Sequence, residues 1–181
     1  MTRYVALLRG INVGGKNSIK MADLRACFER DRFEDVATYI QSGNVLFGSR
    51  DSGIARLTER IERMLAASFS YEASVVIRSR AQMQAILDEA PEGFGSDPRR
   101  YRCDVVFLKH PLTPRAAIEQ VSTREGVDHV WVGPRVLYFE RLIARASQSR
   151  MAKIVSLPIY RSMTIRNWRT TTELLRLLSA G

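Results

Sequence analysis

The chain has 181 residues, 45% of them apolar and 26% charged, with a formal net charge of +9 and a pI near 10.1. That length suits one domain or two small subdomains, and the apolar content excludes an intrinsically disordered chain. The charge points to an anionic partner, but charge speaks to association rather than to fold.

Tyr4 to Leu8 is the longest apolar run near the start. It is too short for a signal-peptide core, and no segment approaches the roughly 20 residues of a spanning helix, so a cytoplasmic protein with no membrane partner is expected. Cys27 and Cys103 lack CxxC spacing and read as buried free thiols; with His110 and His129 they form no metal-binding pattern.

Taken in chain order, Tyr4–Leu8 reads as a buried strand, followed by a Gly-rich loop over residues 10–17. Met21, Leu24, Cys27 and Phe28 recur at helical spacing. Val36–Gln41, the turn Ser42-Gly43-Asn44 and Val45–Phe47 read as a hairpin. Asp51 or Ser52 is placed to cap a helix carrying Ile54, Leu57, Ile61, Met64 and Leu65, and Ala73–Ile77 is a further strand. The order β-α-β-β-α-β is the ferredoxin-like pattern.

Ser79 and Gln82 form a capping-box signature for a connecting helix stopped by Pro91, and a loop runs from there to Arg102. The order then recurs. Asp104–Leu108 is a strand, Thr113-Pro114 opens a helix, and Val130–Val132 with Val136–Phe139 form a hairpin. A helix is expected over Ser147–Leu157, ended by Pro158. Met163–Ile165 closes the pattern, and Thr170 with Glu173 marks a last capping box. The expected fold class is α+β, two ferredoxin-like subdomains in tandem with extra helices. The boundaries are 1–78 for the first, 79–102 for the connecting helix and loop, and 103–181 for a basic second subdomain. Several strands are apolar on both faces, so something beyond their own helices must cover each sheet.

The charge is uneven along this frame. Residues 1–90 hold thirteen basic and eleven acidic side chains, and residues 91–134 hold six of each. Residues 135–181 hold nine basic and two acidic, so the excess lies in the last quarter. Arg exceeds Lys by 24 to 4 across the whole chain, which reads as coding bias rather than recognition.

Four segments carry polar chemistry. Gly10–Asn17 fits G-x-x-x-x-G-K, but Asn17 stands where a magnesium-holding hydroxyl belongs, and the helical stripe starts only near Met21. A looser anion-binding loop with Asn12, Gly14, Gly15, Lys16 and Asn17 is the alternative to a structural Gly loop. Gln41, Ser42 and Asn44 sit at a hairpin turn, where turn chemistry and ligand contact both fit. Ser149 and Arg150, with Arg145 and Ser147, stand where the expected helix begins and would meet an anion there. Arg166, Asn167 and Trp168 combine a cation, an amide and an indole. Trp168 is either a stacking platform or a core anchor.

Together, the segments Arg9–Asn17, Thr38–Val45 and Thr164–Trp168 resemble the signatures of the bacterial domain-of-unknown-function family 1697. The resemblance runs nearly end to end. It implies a two-subdomain α+β protein, ferredoxin-like in its first part, with no established activity. The family tends to be Gly-rich with a Ser-Lys pair near Ser149-Arg150; here Ala144, Ala146 and Ser147 occupy that stretch and Arg150 replaces the Lys.

Three functions compete on this reading. The first is binding of a small anionic ligand, phosphorylated or nucleotide-like, at the subdomain junction. Lys16, Arg150 and Arg166 would hold charge, and Asn12, Gln41, Asn44 and Asn167 would orient the ligand. The second is sequence-tolerant nucleic-acid binding through the basic C-terminal region. The third is an enzyme of unassigned reaction, since Asp23, Asp104, His110 and Glu140 have no partner at diagnostic spacing. Cofactor and oligomeric state are open.

Overall fold

The computed structural model describes residues 1–12, 18–70 and 72–180. The chain divides into two compact units, Met1–Met83 with Leu174–Gly181, and Gln84–Glu173.

The first unit runs β1 (Thr2–Arg9), α1 (Met21–Arg30), β2 (Glu34–Tyr39), β3 (Asn44–Ser49), α2 (Ile54–Phe69) and β4 (Ser74–Ser79). The sheet is antiparallel in the order β2-β3-β1-β4. Tyr4, Ala6 and Leu8 alternate onto one face and pack with Leu24 and Phe28 of α1 and Leu57, Ile61 and Leu65 of α2. Phe47 sits among Tyr4, Phe28 and Phe33 at ring-centroid distances of 5.6, 5.7 and 4.8 Å. Val5 and Leu7 point the other way and are also fully buried, so the sheet's second face is covered, as its two-sided apolar strands require. No Asp51 or Ser52 cap forms on α2, whose cap residue is Gly53. Asp51 instead accepts the Gly53 N–H at 2.9 Å and pairs with Arg56.

Next comes α3 (Arg80–Asp88), with the capping box in place: Ser79 N donates to Gln82 Oε1 at 3.0 Å and Gln82 N to Ser79 Oγ at 3.2 Å. The second unit continues with β5 (Tyr101–Leu108), α4 (Pro114–Ile118), β6 (Asp128–Gly133), β7 (Val136–Leu142), β8 (Met163–Asn167) and the start of α5 (Trp168–Ser179). Its strand order, β6-β7-β5-β8, repeats the first sheet's topology. Val106, Leu108, Leu137, Phe139 and Met163 make one core face. Val105, Phe107 and Tyr138 make the other, also with no exposure. There the Tyr138 hydroxyl donates to the Ile86 carbonyl at 2.6 Å, anchoring α3.

Two further expectations are corrected. The helix over Ser147–Leu157 does not form. Three 3-10 segments, Ile143–Gln148, Met151–Ser156 and Pro158–Ser162, stand in its place. The buried pair Met151 and Ile154 is spaced by three, which suits a three-residue turn as well as an α-helix. The Arg150 N–H is drawn to Asp128 rather than into a helical ladder. Likewise the last helix is not capped by Thr170. It starts at Trp168, and Asn167 Oδ1 accepts the Thr170 N–H at 2.7 Å. Asn is the stronger cap and stands where β8 releases the chain.

The hairpin joining β2 and β3 depends on a glycine. Gly43 has φ +76°, and an added Cβ would meet Ile11 Cδ1 at 2.5 Å and Leu8 Cβ at 2.9 Å. Gly43→Ala therefore combines left-handed strain with overpacking, and about 2–4 kcal/mol of stability is expected to be lost, read as a fall in the urea midpoint at unchanged slope.

Candidate functional site

The second unit gathers positive charge into a cavity of about 460 Å³ lined by Thr123, Arg124, Glu125, Gly126, Arg145 and Arg150. Two segments build it, the turn before β6 and the 3-10 stretch after β7. They are joined by Asp128, only 4% exposed, whose Oδ2 accepts the Arg124 N–H at 2.9 Å and the Arg150 N–H at 2.8 Å. Its Oδ1 is buried with no hydrogen-bond partner among the described residues. Arg145 donates to Gln148 Oε1 at 2.8 Å. Among the described residues, none of the three guanidiniums forms an ion pair. Glu125 is, among the described residues, the sole acid lining the cavity. Like charges brought together this way repel until an anion joins them, and guanidinium suits phosphate or carboxylate oxygens.

Of the residues singled out in the sequence, Arg145 and Arg150 lie in this cavity. Ser149 sits beside it, but its hydroxyl accepts the Met151 N–H at 3.1 Å and serves the turn. Sequence reasoning missed Arg124 and Asp128. The available signal was an acid at the first position of a strand, a poor place for Asp unless its carboxylate has work there.

The two N-terminal motifs meet each other within the first unit. Asn12 Nδ2 donates to Ile19 O at 3.0 Å and Gln41 O at 2.9 Å, while its Oδ1 accepts the Ile19 N–H at 2.8 Å. Asn44 is fully buried, and its Nδ2 donates to Tyr39 O at 2.9 Å and Ser42 Oγ at 3.0 Å. These amides hold the loop base and the hairpin together. Gly14, Gly15, Lys16 and Asn17 lie outside the described residues.

The third motif borders a different cavity in the second unit, of about 520 Å³, reached by Asn167 and Trp168 but not by Arg166. Arg166 is half-buried on β8, with its Nη1 donating to Ile165 O at 2.9 Å. Burial brings its guanidinium down to about 10, which leaves it cationic at neutral pH.

Cys103, Glu140 and His129 stand directly opposite one another across β5, β7 and β6. The Cys103 Sγ lies 3.6 Å from Glu140 Oε2, and Glu140 Oε1 lies 3.8 Å from His129 Nδ1. The carboxylate separates thiol from imidazole, the reverse of a cysteine–histidine nucleophile. Burial, reinforced by Glu140, pushes the thiol up to about 12. Among the described residues no cluster of His, Cys, Asp and Glu fits a metal ion, and no helix is long and apolar enough to cross a membrane.

The chain belongs to the family described as Protein of unknown function (DUF1697), whose model matches residues 1–138. It is similar to the structure of the conserved bacterial protein SP0830 from Streptococcus pneumoniae. The TM-score is 0.86 at 31% identity, covering 98% of this chain and 99% of that one. No curated protein matches the chain.

Below pH 9 the Cys103 thiol holds its proton folded or unfolded; between about 9 and 12 only the folded state keeps it. This group's stabilisation is therefore expected to fade as pH rises through that window. Urea midpoints measured under reducing conditions from pH 8 to 10.5 should fall less steeply in Cys103→Ala than in the parent.

Proposed function

We propose that the chain binds a small anionic ligand, a phosphate-bearing one by preference, in the cavity of Arg124, Arg145 and Arg150. The single observation that carries this reading is the convergence on one cavity of three arginines, none in an ion pair among the described residues, from two segments clamped by one buried carboxylate. It gives the charge excess of residues 135–181 a local purpose, because Arg145 and Arg150 belong to that excess. A concave site fits a compact anion better than a polyanion, which calls for an extended basic surface.

Inorganic pyrophosphate and nucleoside triphosphates are the probes. Each is expected to raise the melting temperature of the native chain, because a ligand bound only by the folded state stabilises it. In Arg145→Ala/Arg150→Ala, affinity measured by calorimetry should fall by about tenfold or more. Arg145 is exposed and Arg150 half-buried, so the fold should be retained. An unchanged affinity in that variant overturns the proposal. So does a single-stranded oligonucleotide that outcompetes pyrophosphate in a steeply salt-dependent way.

The carboxylate clamp makes its own prediction. Asp128→Asn preserves shape but weakens acceptance of two N–H groups, and a loss of about 1–3 kcal/mol is expected in chemical denaturation.

A further inference from the structure

We infer that the cavity bordered by Trp168 is a second ligand site, for a planar ring that carries an anionic group. The inference is independent of the arginine cavity. The two share only the 3-10 segment Ile143–Gln148, which gives Ile143 to one and Arg145 to the other.

The volume of about 520 Å³ is that of a small-molecule site, for which about 300–1,000 Å³ is usual. Its lining is largely apolar, with Pro98, Tyr101, Cys103, Ile143 and Trp168 contributing. Ile143 is 44% exposed, a large apolar side chain left in water at a concave surface.

The indole is held in advance of any ligand. Phe94 meets Trp168 edge-on at 5.1 Å with an interplanar angle of 83°, and is itself held edge-on by Tyr138 at 5.4 Å and Trp131 at 6.2 Å. Gly95 lies so close that a Cβ there would collide with the indole ring, so the backbone packs where a side chain would displace it. Pre-positioned aromatic surface binds a planar ring without a further ordering cost.

The polar groups at this cavity choose the sign of the ligand. Arg102, Arg169 and Asn167 line it, and among the described residues no acidic one does. Asp104, the partner of Arg102 at 3.2 Å, is 4% exposed and does not line the cavity. Arg169 has no ion pair among the described residues. Asn167, an exposed residue, uses its Oδ1 as the cap of α5, which leaves its Nδ2 to donate. The Cys103 thiol, held protonated, adds no negative charge to the wall. Apolar and aromatic surface beside two cations and an amide donor matches a ring joined to a phosphate or a carboxylate.

Calorimetry on the full chain tests this with adenosine 5′-monophosphate and indole-3-acetate, each against a partner lacking one feature. Adenosine lacks the anion, and cyclohexylacetate lacks the planar ring. At least one aromatic anion is expected to bind, with its control weaker by about tenfold or more. Binding of the nucleotide alone, or of the carboxylate alone, supports the site and identifies the class of anion. Ile143→Glu places a negative charge in the cavity at an exposed position, so it should fold normally and weaken the aromatic anion by about tenfold or more. Trp168→Phe should retain part of the affinity. Arg145→Ala/Arg150→Ala should leave it unchanged, which separates this site from the arginine cavity. The inference is overturned if neither aromatic anion binds at millimolar concentration. Controls that bind equally well overturn it too, as does affinity that falls in the double arginine variant and not in Ile143→Glu.

Discussion

One carboxylate oxygen governs where the arginines of the second unit stand. Asp128 Oδ2 gathers backbone N–H groups from Arg124 and Arg150, two residues far apart in sequence, and so fixes the turn before β6 against the chain leaving β7. The start of the 3-10 segment Met151–Ser156 is placed by this bond, since Arg150 is its cap residue. The local concentration of guanidinium follows too, because the side chains of Arg124, Arg145 and Arg150 ride on the two joined segments. A buried carboxylate accepting backbone N–H groups is strongly directional, and removing it would leave two donors to find water.

The two units share a topology but spend their aromatic residues differently. In the first, Tyr4, Phe28, Phe33 and Phe47 form a single cluster inside the helix-facing core. Arg60 closes this core, lying 4.5 Å over the Phe33 ring while bonded to Asp31 at 2.7 Å. In the second, Phe94 comes from a loop and joins Trp131, Tyr138 and Trp168, so aromatic surface reaches a cavity instead of only filling a core. Neither cavity described above draws on the first unit. There the polar motif residues Asn12 and Asn44 spend their amides on backbone carbonyls, which explains side chains so specific in a stretch that also holds the fold.

Much of the fold was legible because its signals are local. Strands apolar on both faces, a Ser–Gln capping box and a Thr-Pro helix start each declare themselves within a few residues. The recurrence of the strand order was legible from the sequence of those elements alone, although 3-10 segments replace the second helix of the second unit. The 3-10 segments were not, since Met151 and Ile154 have a spacing common to both helix types and the deciding contact comes from Asp128 on β6. The candidate sites were half legible for the same reason. Arg150 and Trp168 stand in conspicuous local motifs, whereas Arg124, Arg102 and Tyr101 reach their cavities only once the sheet has formed. Asn167 was read as a ligand contact and is also the helix cap, and a side chain with two polar ends can be both.

The burial of Cys103 bears on oxidation. Peroxide attacks the thiolate and not the thiol, and this sulfur, enclosed beside Glu140 and pushed up to about 12, has almost no thiolate at neutral pH. Sulfenic acid formation and mixed-disulfide exchange at this position are correspondingly slow while the chain stays folded. Protonation rather than inaccessibility thus protects a sulfur that lines a cavity, and unfolding, which restores an ordinary thiol, would speed its oxidation.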